Sequence, residues 1–326
     1  MSIFFAGFFF LIFMGMLKAM KKEEIIITEN LAGQRIDTIA SQLFPEFSRS
    51  QWQKNGEFQI KGNKRPSAKK TKTQLGETWI IKIKQNPAKK LDKAVPWDFP
   101  LEILAESKTW AVINKPLGIS VHPSPSAPEP KTIVNALVHH FGKNLAKISD
   151  NLDGQEIAKP GIVHRLDKTT SGVLLIAKTM QTHHFLQKNW KNVEKTYLAI
   201  VENRGKKLPK SGKITAGIVR DPRNRQRMTV SNEESAKSAL TFFTKLTENK
   251  KHTLLQVSIP TGRTHQIRVH LSAIGHPIYG DTKYGGEEAE RVFLHAEKIV
   301  FPDPDKDGER TEVISMVPIE FTEIIN

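Results

Sequence analysis

The segment Gly161-Ile162-Val163-His164-Arg165-Leu166-Asp167-Lys168-Thr169-Thr170-Ser171-Gly172 runs straight into Val173-Leu174-Leu175-Ile176-Ala177-Lys178, and it constrains the fold more than any other stretch. Two apolar β-type runs flank a polar loop, and one carboxylate sits in that loop between Arg165 and Lys168. Neighbouring positive charge favours an anion. Asp167 therefore reads as a permanently charged, partly desolvated oxygen nucleophile or base, not as a proton donor. The plainer reading is a β-connection whose Asp and Lys are solvated turn residues. The rest of the chain decides between the two.

A chain of 326 residues is long enough for one large domain plus a small one, with a core that needs no staples. It has no cysteine, which excludes disulfides, thiolate catalysis and cysteine-ligated zinc or iron–sulfur sites. That absence fits a reducing compartment, and the cytoplasm is the expected location. The net charge is +15, from 49 Lys and Arg against 34 Asp and Glu, spread along the chain. Such a balance attracts polyanions, so nucleic acid or an anionic membrane is the expected partner.

Residues 1–20 depart from this pattern. Ile3 to Leu17 is an unbroken apolar run of 15 residues containing Gly7 and Gly15, followed by Lys18 and Lys21-Lys22. A spanning helix needs about 20 apolar residues. The basic residues before a signal sequence and the small-residue cleavage site after it are both missing. A misplaced start is the preferred reading, with Met20-Lys21-Lys22-Glu23-Glu24 opening an ordinary soluble protein. A weak membrane anchor comes next, then a disordered extension; a membrane partner is not expected.

Residues 21–86 read as a small separate module. Glu24 to Thr28 is a β-type run, and Gln34 to Phe44 has helical spacing, with Ile36, Ile39, Ala40 and Leu43 on one face. Pro45 stops that helix, and Ser48-Arg49-Ser50-Gln51-Trp52 can cap and open a second. Phe58 to Ile60 and Trp79 to Lys84 read as strands. Arg49, Lys54, Lys61, Lys64, Arg65 and Lys69 crowd the loops, which favours a phosphate-contacting surface. Residues 87–98 are a linker by composition, and a second domain occupies 99–326. Within it, Ile103 to Glu106 and Trp110 to Asn114 read as paired strands, Lys115 to Gly118 as a turn, and Thr132 to Phe141 as an amphipathic helix. Strands and helices interleave without regular βα alternation, which predicts an α+β fold.

A second chemical segment is Thr261-Gly262-Arg263-Thr264-His265-Gln266-Ile267-Arg268-Val269-His270-Leu271-Ser272-Ala273-Ile274-Gly275-His276-Pro277, preceded by a strand at Leu254 to Pro260. A helix from about Thr264 would bury Ile267, Leu271 and Ile274, and stop at Gly275 with Pro277 beyond. His265, Arg268 and Ser272 then lie one turn apart and can point together into a cleft. A zinc helix fails on spacing, since His265 and His270 are five apart with no acidic ligand between them, and no metal site is expected. Lys195 to Val201 is a strand carrying Tyr197, one of only three tyrosines; taken alone, such a residue reads as packing.

Together these residues resemble the RluA-type RNA pseudouridine synthases, in their ribosomal large-subunit branch. The likeness runs in the family's order over nearly all of residues 23–320. It covers Ala32-Gly33-Gln34-Arg35-Ile36-Asp37, Val112 to Pro116, Val121-His122-Pro123, Thr132 to Leu137, the His164-Arg165-Leu166-Asp167 loop and Lys195-Thr196-Tyr197. It continues through the Gly262 to Pro277 segment, Gly280-Asp281, Tyr284-Gly285-Gly286 and Leu294-His295-Ala296. The resemblance implies a mixed, mostly antiparallel central sheet with peripheral helices and a basic cleft, behind a small α-L RNA-binding module at 21–86. It implies detachment of uridine at nitrogen 1 and rejoining through carbon 5, with no cofactor. Asp167 would be the catalytic carboxylate, by ribose attack, ring addition or proton abstraction, with an ion pair to Arg268. Tyr197 would abut the uracil and is a candidate for removing the carbon 5 proton. Arg165 would fill the gap left by a flipped nucleotide or hold its phosphate. Arg263, His265, Lys115, Arg49 and Lys54 are expected among the RNA contacts. Arg223, Arg225 and Arg227 join them on a mobile hairpin loop between Arg220 and Met228. The expected partner is large-subunit ribosomal RNA, and the expected state a monomer. The rival readings are a tRNA-modifying relative, a non-catalytic RNA-binding ribosome-assembly factor, and an Asp-nucleophile hydrolase, which would want a metal-binding acidic cluster or a general base.

Overall fold

The computed structural model describes residues 20–44, 52–53, 56–63, 65–84, 94–122, 131–142, 145–146, 149–152, 155–158, 160–205, 207–224 and 226–326. The apolar N-terminal run, Arg49, Lys54, Arg225 and most of the linker lie outside these residues, as does the expected second helix of the front module apart from Trp52 and Gln53. Among the described residues no helix is long and apolar enough to cross a membrane. The chain divides into two compact units, one of residues up to 93 with Asp150–Ile157, the other of Ala94–Ser149 with Ala158–Asn326.

In the smaller unit, strands β1 (Met20–Ile26), β2 (Gly56–Ile60) and β3 (Thr78–Lys84) form an antiparallel sheet in the order β1-β3-β2. Helix α1 (Ile36–Leu43) buries Ile36, Ile39 and Ala40 as their spacing predicts, whereas Leu43, in its final turn, is exposed. Trp52 fills the core, its ring centroid 5.9 Å from both Phe44 and Phe58. Asp37 is fully buried, and it is compensated by Arg35 at 2.7 Å and Gln53 at 2.7 Å, as a buried carboxylate requires.

The larger unit is built on a ten-stranded sheet. Its strands are β4 (Glu102–Glu106), β5 (Trp110–Lys115), β8 (Ser171–Ala177), β9 (Glu194–Glu202), β10 (Ser211–Arg220), β11 (Met228–Ser231), β12 (Lys237–Glu248), β13 (His252–Ser258), β14 (Leu294–Pro302) and β15 (Arg310–Ile314). Strands β6 (Ser149–Leu152) and β7 (Gln155–Ala158) form a separate two-stranded sheet, most of which belongs to the smaller unit. The order is β11-β10-β12-β13-β9-β14-β8-β5-β4, with β15 also on β14. Among the described strands only β8 and β14 run parallel, and they meet at just two positions, His295 with Ser171 and Ala296 with Gly172. Helices α2 (Ile133–Phe141), α3 (Met180–Lys188), α4 (Gln266–Ala273) and α5 (Ile319–Ile325) complete the α+β architecture. All seven residues of β8 are buried, as expected of a central strand covered on both faces. The segment ahead of residue 99 is attached to this unit, since Trp97 N–H donates to Asn135 O and Asn135 Nδ2 donates to Val95 O.

The first apolar run of the 161–178 segment is not a strand; it makes a single bridge, Ile162 with Ile176. Because β14 leaves β8 after Gly172, the remaining edge of β8 needs other partners. Ala177 N–H donates to Gly161 O at 2.9 Å, and Leu175 N–H donates to the His164 ring at Nε2, also at 2.9 Å. The loop carrying Asp167 is thus folded back along the strand it feeds.

Candidate active site

Residues 164–170 turn tightly. Thr170 N–H donates to Asp167 O, and Gly118 N–H, from the turn after β5, donates to Lys168 O. At the far end Ser171 Oγ accepts from Arg291 Nη2 at 2.7 Å and meets His295 Nδ1 at 2.9 Å. Leu166 is buried, and together with Asp167 it lines a cavity of about 260 Å³. Arg165, Trp190, Lys195, Tyr197, His265 and Arg268 also line it.

Arg268 holds the carboxylate. Its Nη1 donates to Asp167 Oδ2 at 3.2 Å across 101 residues of sequence. Its Nε and Nη2 donate to the two oxygens of Asp281, each at 2.7 Å. Burial alone would lower the proton affinity of this guanidinium, yet hydrogen bonding and charge from Asp281, with Asp167 behind it, raise it above the ordinary arginine value. A buried, doubly paired guanidinium is a rigid positive wall. His265 Nε2 faces the same Oδ2 at 3.8 Å. Arg268 and His265 therefore converge on one oxygen of Asp167.

His265 is also a conformational exception: its φ of 56° is the only positive value among the described non-glycine residues. Helix α4 consequently begins at Gln266, with His265 as a left-handed N-cap, at a strain cost of about 1–3 kcal/mol. The left-handed turn aims the imidazole at Asp167. Ile267 and Leu271 are buried as expected, but Ser272 does not reach the cavity; its hydroxyl donates to Tyr284 O at 2.7 Å. His270 and His276 are turned inward onto Thr241 Oγ1 and Glu202 O.

Tyr197 on β9 is buried at the cavity wall. Burial, then the charge of Asp167, pushes its phenol well above the ordinary value, so it stays protonated. Lys195, two residues earlier on the same face, was not expected as a site residue. Its ammonium lies 5.4 Å from the Trp190 ring and burial lowers its pKa to about 8. Alternation along the strand was the available signal, since residues two apart share a face.

The residues expected to contact RNA differ in how far the fold exposes them. Lys115 is fully buried and its ammonium donates to Pro116 O at 2.7 Å and Ile119 O at 2.9 Å, which fastens the turn after β5. Desolvation brings its pKa down to about 7 against the opposing pull of Asp167. His265 belongs to the carboxylate environment. Arg227 places its guanidinium 5.4 Å from the Tyr284 ring centre. Arg165, Arg263 and Arg223 are exposed, with Arg263 Nε anchored on Ser238 O at 3.0 Å. Asp281 and Tyr284 were visible only as parts of a motif; their contacts could not be read from it. Among the described residues no three His, Asp or Glu side chains gather as a metal site.

Known proteins are similar to this chain in sequence and fold. Residues 109–273, just over half the chain, match the family model described as RNA pseudouridylate synthase. The ribosomal large subunit pseudouridine synthase D of Xylella fastidiosa is 36% identical over 321 residues, covering 92% of this chain and 90% of that protein. A protein of Aquifex aeolicus named as an uncharacterized RNA pseudouridine synthase is 39% identical over 261 residues, 77% of each chain. Among solved structures, human RNA pseudouridylate synthase domain containing 1 superposes with a TM-score of 0.52 at 26% identity, covering 67% of this chain and 83% of that one. With the family's pattern matched over this span and a relative aligned almost end to end, the chain belongs to the RNA pseudouridylate synthase family.

Proposed function

We propose that this protein isomerises uridine to pseudouridine in RNA of the large ribosomal subunit, with Asp167 as the reacting carboxylate. The observation that carries the assignment is a single Asp, held through Oδ2 by Arg268, in a cavity walled by Tyr197. The choice of RNA follows the name of the Xylella fastidiosa relative. Detaching uracil at nitrogen 1, turning it and rejoining it through carbon 5 gains no atom or electron, so the proposed reaction runs without a cofactor, in a monomeric, cytoplasmic protein. With Oδ2 engaged, Oδ1 of Asp167 is the oxygen left to act on the nucleotide. Arg268 keeps the carboxylate oriented throughout. A phenol held protonated is not a resident base, so Tyr197 is assigned to packing against the uracil. A base must leave its stack to reach the cavity, and the exposed Arg165 is assigned to the vacated space or its phosphate. The smaller unit, with Arg49 and Lys54, is assigned to RNA binding as an α-L module.

Asp167→Ala should abolish pseudouridine formation while RNA affinity changes little, measured by modification mapping and filter binding on the same preparation. Mapping large-subunit RNA from cells lacking the gene should show pseudouridines that only the wild-type gene restores. A fully active Asp167→Ala protein defeats the catalytic assignment, and losses confined to transfer RNA defeat the choice of substrate.

A further inference from the structure

Tyr284 touches both the catalytic wall and the basic hairpin formed by β10 and β11. Its hydroxyl has one proton to give and two lone pairs to fill. Met228 N–H, at the start of β11, donates to it at 2.9 Å, and His265 Nδ1 lies 2.6 Å away. The other ring nitrogen of His265 faces Asp167 Oδ2 at 3.8 Å. A bare Nε2 would set a lone pair against a carboxylate, so the proton of a neutral imidazole belongs on Nε2. Nδ1 is then an acceptor, and the Tyr284 O–H is its donor. Burial favours the neutral ring over the opposing pull of Asp167, and Arg268 and Lys283 add to it. The chain of donors therefore has one direction, from the Met228 N–H to the phenol oxygen, from the phenol to Nδ1, and from Nε2 toward the carboxylate.

We propose that Tyr284 is a positioning residue for the isomerisation: it fixes the His265 proton on Nε2, opposite the oxygen that Arg268 also holds, and makes that arrangement depend on the seating of the basic hairpin. The inference rests on Asp167 being the reacting carboxylate. The hairpin is well placed to transmit its position, since Arg227 also lies against the Tyr284 ring while Arg223, four residues back, is exposed. RNA engaged by the hairpin would thereby be registered at the carboxylate, with the phenol as the joint.

The test uses the full chain with 15N-labelled histidine. In RNA-free wild-type protein the His265 ring nitrogens, assigned with His265→Gln, should show Nε2 protonated and Nδ1 bare. In Tyr284→Phe the preference should shift toward a tautomer mixture. Single-turnover pseudouridine formation should fall about 10- to 100-fold with RNA affinity within about threefold, the effect of losing a residue that fixes a tautomer without touching substrate. His265→Gln should cost a similar factor, and the double variant little more, as for residues acting in series. A wild-type proton on Nδ1, an unimpaired Tyr284→Phe, or fully additive losses would each overturn the proposal. Should Tyr284→Phe fail to fold, the wild-type spectrum decides alone. That spectrum is read without RNA, so the tautomer it shows is independent of whether Asp167→Ala abolishes modification.

Discussion

Arg268 can serve two carboxylates only because its donors are spread over a planar fork: two parallel bonds go to Asp281 and a third, from Nη1, to Asp167. A lysine there would present one compact charge and could not span both. That Asp167, Tyr197 and Arg268 come together is legible in the sequence only through the resemblance, since Tyr197 taken alone reads as packing. Asp281 was not legible, because its purpose appears only when it meets Arg268. The burial of Lys115 is hidden for a related reason: a lysine in a turn looks solvated until the fold closes over it. His164 shows the same hidden structural duty within the most telling motif of the chain. Its Nε2 accepts Leu175 N–H, so it must stay neutral, and burial, aided by Lys195, lowers its pKa to about 3 from an ordinary 6.5. Between those values the unfolded chain takes up a proton that the folded chain refuses. The stability contributed by this residue is thus fully present above 6.5 and is lost as pH falls toward 3, at up to about 1.4 kcal/mol per pH unit. His164→Leu should cost about 1–3 kcal/mol at neutral pH by stranding the Leu175 N–H. It should also flatten the acid limb by about one proton in urea unfolding between pH 4 and 6. An unchanged acid limb would show that His164 titrates as it does in the unfolded chain.

Among the elements, the strands around β5, β9 and β13 and the helix at Ile133–Phe141 were legible because their apolar periods are local. The beginning of α4 was not, since a left-handed His265 defeats any expectation drawn from helical spacing. The run before Asp167 was also misjudged: whether an apolar segment becomes a strand depends on a partner, and the space beside β8 is decided by β14, more than a hundred residues later. The two strands approach closely at Gly172, where φ is +112° and a Cβ would lie 2.1 Å from Ala296 O. No L side chain fits there without parting the parallel pair. Gly172→Ala should destabilise the larger unit by about 2–5 kcal/mol, the sum of backbone strain and overpacking. Because residue 172 lies directly after the anchored Ser171, it should also displace the Asp167 loop and slow modification. Thermal unfolding checks the first effect, and a wild-type melting temperature would show that β8 and β14 can separate at no cost.

For the whole molecule, irregular interleaving of strands and helices was enough to indicate an α+β fold, while the strand order, with its sequence-distant neighbours, is a property of long-range pairing that no local pattern carries. Charge is the other property at this scale. An excess of +15 makes salt-sensitive RNA binding an expectation for the molecule, but it does not say which cations touch phosphate. The structure separates two arginines of one loop that the sequence made equivalent. Arg223 is exposed beyond the end of β10, whereas Arg227 is half-buried against Tyr284. Each phosphate contact contributes about −0.7 to −0.9 to the slope of log affinity against log salt, through counterion release. Arg223→Ala should therefore make the slope shallower by about that amount and weaken binding at low salt, leaving the single-turnover rate of saturated enzyme nearly unchanged. Arg227→Ala should do the reverse, altering the slope little and lowering the rate, because its guanidinium rests on the residue that steadies His265. Binding titrations from about 50 to 300 mM salt, paired with single-turnover assays, distinguish the two. Equal changes in slope for both variants would mean that Arg227 leaves Tyr284 to meet the backbone of the RNA.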